Sequence, residues 1–436
     1  MEVTTNDNRH LTIGGIDAVN LAHKYQTPLV VYDVAQIKAQ INAFKRVFEE
    51  QQVAYEVSYA SKAFCATAIY QVINTLGCHT DVVSGGELAT ALKAGFPAEK
   101  ISFHGNNKSI AELEYAVKSD VGVIIVDNFY EIKLLIKVLR EQNKNTRVIL
   151  RVTPGISAHT HEYDQTGQVD SKFGFDIDSG QADKALEQLL NEPNIEVLGL
   201  HAHIGSQIFE LGGFELVGQK LMQIAKHWQD KFGYETKVLN VGGGFGIKYT
   251  AEDTPLAPEK FVEKIIQVVK KQAKELEISL PAIWIEPGRS IVGPAGYNLY
   301  TVGARKDIPG HLPYLAVDGG MGDNIRPALY QAKYVAVLAN EPKAKIQETV
   351  HLAGKYCESG DILIDELALP KTKPGDIIAM LATGAYGYSM ASNYNRNPRP
   401  AVVFVENGQA KLVVKRETYV DLTHLDQPYL EYRKKK

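Results

Sequence analysis

Lys62 closes the run Ser58-Tyr59-Ala60-Ser61-Lys62. A lysine that faces inward at a strand end is costly unless it is paired or its pKa is lowered, and a lowered pKa is also what Schiff-base formation with a carbonyl requires. Most lysines of the chain must be solvated surface residues, so the position alone decides little. The run Val241-Gly242-Gly243-Gly244-Phe245-Gly246 offers backbone N–H groups that only glycine lets approach a phosphate closely. Ile247 stands where the third glycine of a dinucleotide fingerprint would fall, and no Rossmann unit surrounds it. A plain flexible turn is the alternative. Glu286-Pro287-Gly288-Arg289 supplies a planar, permanently charged fork for a phosphate or carboxylate. Its carboxylate can hydrogen-bond a pyridinium nitrogen and keep it protonated, although an ordinary surface Glu–Arg pair would read the same way.

His201-Ala202-His203 puts two imidazoles on one face of a strand, because strand side chains alternate. Such a pair at a strand end can bind zinc for hydrolysis. The small-residue loop Ile204-Gly205-Ser206-Gln207 that follows suits instead a ring stacked on His203 and a phosphate oxygen on Ser206. Pyridoxal 5'-phosphate (PLP) would use all of these groups, and the zinc reading stays open beside it. Further on come Cys357-Glu358-Ser359-Gly360-Asp361 and Thr383-Gly384-Ala385-Tyr386-Gly387-Tyr388. A thiol beside carboxylates is less acidic than usual, so an inert cysteine is the alternative there, while Tyr386 beside glycines reads as backbone bent close to a ligand.

These residues need a frame. Eight β-rich runs recur with helix-like segments between them: Val53–Tyr59, His79–Val83, Ile101–His104, Val121–Val126, Arg147–Val152, Val197–His203, Val238–Val241 and Ala282–Ile285. That rhythm predicts an α/β fold built on a (β/α)8 TIM-type barrel, whose active-site groups sit at the carboxyl ends of the strands. Those ends carry Lys62, Asp81 with Ser84, His104 with Asn106, Asp127 with Asn128, Arg151, His203 with Ser206, Gly242–Gly244 and Glu286. After Gly288 the pattern turns to β-type runs at Tyr314–Val317, Tyr334–Leu338, Thr349–Leu352, Asp361–Leu363, Asp376–Leu381, Ala401–Glu406 and Lys411–Lys415, with Asn407-Gly408 as a hairpin turn. A second, all-β domain of Greek-key or β-barrel type is expected there, and the early run Leu29–Tyr32 can join it. The domains are then 36–287 for the barrel, and 1–35 with 288–436 for the β domain.

Composition bounds the function classes. At 436 residues two domains are a better expectation than one, and a net charge of -4 gives no field for gathering nucleic acid or anionic membrane. The polar start Met1–His10 lacks a signal-peptide core and no later stretch has the length of an apolar membrane span, so a cytoplasmic protein acting on a small molecule is expected. Cys65, Cys78 and Cys357 are widely spaced, without a CxxC pair, and indicate neither a disulfide framework nor a zinc knuckle.

Taken in order, the motifs resemble those of one family. Phe103-His104-Gly105-Asn106-Asn107-Lys108, Asp170-Ser171-Lys172-Phe173-Gly174, His201–Gln207, Gly242–Gly246, Glu286–Arg289, Arg326-Pro327-Ala328-Leu329-Tyr330, Cys357–Asp361 and Gly384–Asn395 are similar to motifs of the diaminopimelate decarboxylases. These belong with the ornithine and arginine decarboxylases to the PLP enzymes of fold type III. The resemblance runs over nearly the whole chain, and the Arg326–Tyr330 and Cys357–Asp361 segments together are its more specific part. It implies that Lys62 bonds the cofactor, that His203 stacks on the pyridine ring, and that Glu286 pairs with its nitrogen. Ser206, Gly243, Gly244, Gly288, Arg289 and Tyr386 would lie on the phosphate side, with no metal. Arg289, Arg326, Tyr330, Glu358 and Tyr386 would contact the substrate, meso-diaminopimelate, which loses CO2 at its D-centre to give L-lysine. Cys357, the implied proton donor, and Glu358 would come from the partner subunit of a homodimer with shared active sites. Ala158–Lys172 resembles the mobile active-site loop. The rivals are a decarboxylase of another amino acid, such as ornithine or carboxynorspermidine, differing at Arg326 and Glu358, a zinc hydrolase, and a catalytically dead regulator.

Overall fold

The computed structural model describes residues 3–156 and 171–430. It divides into two compact units, one formed by Asp33–Gly296 with Gly384–Ser389 and the other by the residues before Asp33, Tyr297–Thr383 and the chain from Met390 onward. Most of the expected loop, 158–170, and the basic tail Arg433–Lys436 lie outside the described residues.

In the first unit, eight parallel strands close into a barrel: Tyr55–Ala60, His79–Val82, Ile101–Phe103, Val123–Val126, Thr146–Thr153, Ile195–His201, Val238–Asn240 and Ala282–Ile285. The ring closes where Ile283 and Trp284 of the eighth strand pair with Tyr55 and Glu56 of the first. A short piece, Phe175–Asp176, pairs with the fifth strand outside that ring, because the fifth already pairs with the sixth. Branched and aromatic strand residues bury both faces; Val123, Ile125, Ile149, Leu198, Val238 and Trp284 form one cluster between them. Helices such as Gly85–Lys93, Ile110–Lys118, Phe129–Gln142, Gly212–Phe232 and Pro258–Glu275 cover the outside.

Helix starts explain several polar residues at the strand ends. The Ser84 hydroxyl accepts the Glu87 N–H, Ser109 and Glu112 form a capping box, and the Asn128 side chain accepts the Glu131 N–H. Ser84 and Asn128, expected among the convergent groups, are therefore N-caps that satisfy otherwise orphaned helix donors.

The second unit is sheet-rich, and its central strand, Gly296–Lys306, was not foreseen. Val302, Arg305 and Lys306 pair antiparallel with Tyr314–Val317, and Tyr297–Thr301 pair antiparallel with Ile377–Leu381. Leu29–Asp33 does join this sheet. Ala401–Glu406 and Gln409–Val414 form the hairpin expected around Asn407-Gly408, where both turn residues have positive φ, 50° and 75°. Leu29, Val31, Leu299, Ile377, Ala379, Leu381, Val403 and Val405 belong to its core. It also holds the eight-residue helix Ala18–Tyr25, whereas its later helices Arg326–Tyr330 and Tyr419–Thr423 are single turns. Among the described residues no helix is long and apolar enough to cross a membrane.

At the start of the second barrel strand, His79 packs edge-on against Trp284 and lies 3.3 Å from Glu56. Burial, with Lys100 and Arg147 nearby, pushes His79 from 6.5 down to about 4. The unfolded chain thus takes up a proton that the folded chain refuses until lower pH, so stability is full above the unfolded value and falls on acidification between the two. From this group alone the loss should reach about 2 kcal/mol near pH 5. Urea unfolding at neutral and mildly acidic pH checks it: His79→Gln should lose less stability on acidification than the parent, and equal losses would contradict the assignment.

Candidate active site

Glu286 follows the eighth strand, and its side chain is buried, 7% exposed. Three side chains from three other strands surround its carboxylate. His201 Nε2 stands 3.0 Å from Oε2, Asn240 Nδ2 donates to Oε1 at 2.7 Å, and His104 Nε2 lies 3.0 Å from Oε1. Burial by itself raises the Glu286 pKa, but His104 and His201 oppose it and hold the group well below the carboxylate range. Burial also lowers His104, and pushes His201 down to about 4. The carboxylate and the two imidazoles thus form one buried network, in which the hydrogen bonds with His201 and from Asn240 favour the ionised form of Glu286. An ionised, buried acceptor of this kind fits the protonated nitrogen of a pyridine ring.

The glycine turn lies beside it. A Cβ on Gly243 would fall 2.1 Å from the Glu286 carbonyl oxygen, and one on Gly244, at φ +99°, 2.1 Å from that of Gly205. No side chain fits either position, so the turn is a tight cradle of main chain rather than a slack loop. Phe245 pins it from below, with its ring centroid 5.2 Å from Phe44, 5.0 Å from Phe214 and 5.3 Å from Phe261. The Gly243 N–H donates to His203 Nδ1 at 3.3 Å, which fixes the imidazole against the turn. Ser206 Oγ accepts from Arg289 Nε at 3.1 Å and Nη2 at 3.0 Å, and Arg289 Nη1 donates to the Tyr249 hydroxyl at 2.9 Å. The buried guanidinium also lies 5.0 Å from the centre of the Tyr386 ring, whose backbone N–H is held by the Ala63 carbonyl. Gly288, which starts the single turn carrying Arg289, is as confined: a Cβ there would meet Ala60 Cβ at 2.8 Å. Cationic fork, hydroxyl and glycine main chain together fit a phosphate.

Lys62 sits just past the first strand, on the turn Ser61–Ala63, and is exposed. The strand ends at Ala60, so Lys62 stands at the carboxyl-end mouth of the barrel, where its charge acts on Asp81 and His203. Its turn is fastened from beneath: Ser61 N–H donates to Asp81 Oδ1 at 3.0 Å and Ser61 Oγ to Glu87 Oε2 at 3.0 Å. Asp81 is buried and its pKa raised well above normal, by burial first and by Glu286 next, with Lys62 opposing. Burial, together with the Lys62 charge, lowers His203. Lys62, Asp81, His203 and Glu286 thus share one electrostatic neighbourhood.

The two histidines of the zinc reading part company. His201 faces Glu286, whereas His203 faces the glycine turn. Among the described residues the side chains close enough to share an ion are His104, His201 and Glu286, whose ligand atoms lie within 4.8 Å of one another. Asn240 and Tyr249 were missed, since neither an asparagine ending a strand nor a tyrosine beyond a glycine run carries a signature of its own. In the second unit, Arg326 is buried, donates from Nη1 to the Tyr334 hydroxyl at 2.7 Å and lies 5.9 Å from the centre of the Tyr330 ring. Cys357 and Glu358 are exposed on one turn, where Asn395 Oδ1 accepts the Cys357 N–H at 2.8 Å.

Comparison with known proteins agrees with this geometry. Residues 34–293 match the family described as pyridoxal-dependent decarboxylase, pyridoxal binding domain. The diaminopimelate decarboxylase of Bacillus methanolicus is 59% identical over 412 residues, 94% of this chain and 95% of that one. The enzyme of the same name from Bacillus subtilis is 56% identical, over 97% of each chain. Among solved structures, diaminopimelate decarboxylase from M. jannaschii in complex with L-lysine has a TM-score of 0.91 at 35% identity, covering 98% of both chains. The Helicobacter pylori enzyme with L-lysine has a TM-score of 0.84 at 32% identity, covering 93% of this chain and 98% of that one. The barrel is thus a pyridoxal-binding domain, and the chain belongs to the diaminopimelate decarboxylases within the pyridoxal-dependent decarboxylase family.

Proposed function

We propose that the chain decarboxylates meso-2,6-diaminopimelate at its D-centre to give L-lysine and CO2, the last step of lysine biosynthesis by the diaminopimelate route. The observation that carries this reading is the buried Glu286 carboxylate held ionised by its neighbours inside the barrel. PLP, when bound, supplies an electron sink for the pair left behind as CO2 departs. Glu286 would keep the pyridine nitrogen protonated, and His203 would cover one ring face. Ser206, Gly243, Gly244, Gly288, Arg289 and Tyr386 would hold the phosphate and its surroundings. The exposed Lys62 would bond the cofactor, yield to the substrate amine and return to release the product. Cys357 would deliver the proton that completes L-lysine.

Selectivity would come from the far end of the substrate, which carries an ammonium and a carboxylate. Arg326 and Tyr330 would take the carboxylate end and Glu358 the ammonium, with Arg289 and Tyr386 meeting the end that reacts. A buried Arg326 favours this over an ornithine-type substrate, which has no second carboxylate and would leave the guanidinium without its anion. The same reading makes the protein a homodimer in which Cys357 and Glu358 serve the partner's site. The exposed apolar residues Leu329, Tyr419, Val420 and Leu425 of the second unit support an assembly. The thiols of Cys65, Cys78 and Cys357, free of disulfides, support a reducing, cytosolic setting.

Purified protein reconstituted with PLP should show a visible band that borohydride bleaches and should form CO2 and L-lysine from meso-diaminopimelate. A band without lysine would move the assignment to another amino acid, and no band would sink it. Lys62→Ala should lose the band and cut turnover by roughly a thousandfold or more. Arg326→Leu should raise KM for meso-diaminopimelate by about tenfold to a thousandfold and leave the band intact; an unchanged KM would contradict its role. Cys357→Ala should keep the band and the KM within a few fold while kcat falls by about a hundredfold or more.

A further inference from the structure

We propose that Asn240 is a positioning residue for the cofactor, tying the carboxylate that meets the pyridine nitrogen to the glycine turn that meets the phosphate. This rests on the reading that Glu286 and Gly243–Gly244 hold those two ends.

Asn240 is the last residue of the seventh barrel strand and is fully buried. Its two polar atoms face different partners. Nδ2 donates to Glu286 Oε1 at 2.7 Å, and Oδ1 accepts the Gly242 N–H at 2.9 Å. The Glu286 N–H in turn donates to the Gly242 carbonyl at 2.8 Å. Three hydrogen bonds therefore form a closed ring through Asn240, Glu286 and Gly242. The direction of the amide is fixed, because turning it over would set its carbonyl against the carboxylate and its NH2 against an N–H. Gly242 has φ +71°, and a Cβ there would meet the Ala202 carbonyl and His203 Nδ1, both at 2.8 Å. The Gly243 N–H next to it reaches His203 Nδ1. One amide thereby sets the carboxylate, the glycine turn and, through that turn, the imidazole that would cover the ring. A hydrocarbon of the same size would leave the Gly242 N–H buried without its acceptor and remove a donor from Glu286. An aspartate would still accept from Gly242 but would set a second carboxylate against Glu286.

The test is the affinity of apoenzyme for PLP, read by equilibrium dialysis across a range of pH, with melting curves as the check on folding. Asn240→Ala should weaken binding by about tenfold to a hundredfold at every pH. In Asn240→Asp the new carboxyl meets Glu286, among His104, His201, His203, Arg151, Asp81 and Lys62, the titratable and charged groups of this neighbourhood. Two adjoining carboxyls share one proton, so this variant should bind like the parent at neutral and acidic pH and fall away from it as pH rises. PLP affinity in Asn240→Ala within about twofold of the parent would overturn the proposal. So would an Asn240→Asp profile parallel to the parent's at all pH, or one as weak as Asn240→Ala throughout. If Asn240→Ala does not fold, the Asn240→Asp profile alone decides. Glu286→Gln separates the two claims: weakened binding there with a normal Asn240→Ala defeats only this inference, whereas normal binding in Glu286→Gln defeats the site reading beneath it.

Discussion

A carboxylate kept charged in the interior of a β-barrel is the constraint around which the site is built. Desolvation alone would protonate Glu286, and an unpaired buried charge costs several kcal/mol. Hydrogen bonds with His201 from the sixth strand and from Asn240 of the seventh prevent that, and His104, just past the third strand, lies 3.0 Å away. Each is itself buried, so the cost of the charge is spread over a network that only the closed barrel can assemble. The fold and the chemistry are linked there, because a shift of one strand register would carry these side chains out of the interior.

The cradle for phosphate follows a different logic. It needs main chain rather than side chains, and the close approach of Gly243 to Glu286 and of Gly244 to Gly205 leaves no room for a Cβ. Such a turn would be loose by itself, since glycine restrains little. Phe245 anchors it in an aromatic cluster contributed by helices, and Asn240 anchors it to the strand before it. Rigidity at the turn is thus borrowed from the layer outside the barrel.

Much of this was legible in the chain. All eight barrel strands fall within a few residues of the sequence-based expectation, because each is a short β-branched run bounded by polar or glycine residues. The strand Gly296–Lys306 was hidden by its two glycines and its asparagine, which break the alternation; Asn298 is buried and bonded to the Tyr300 and Thr383 hydroxyls. Ser84 and Asn128 looked like site residues because a helix N-cap and an active-site polar group share the same place at a strand end. Lys62 falls two residues past the last strand residue, Ala60, since a strand's exact end is the least legible part of a sequence. Asn240 gave no signal because its role exists only through two partners that are distant or featureless in sequence.

Nitrogen NMR of the reconstituted enzyme carrying ring-labelled PLP tests the central claim most directly. With Glu286 ionised beside it, the ring nitrogen should stay protonated through neutral and mildly alkaline pH and lose this protonation in Glu286→Gln. A nitrogen already unprotonated at neutral pH in the parent enzyme would contradict it.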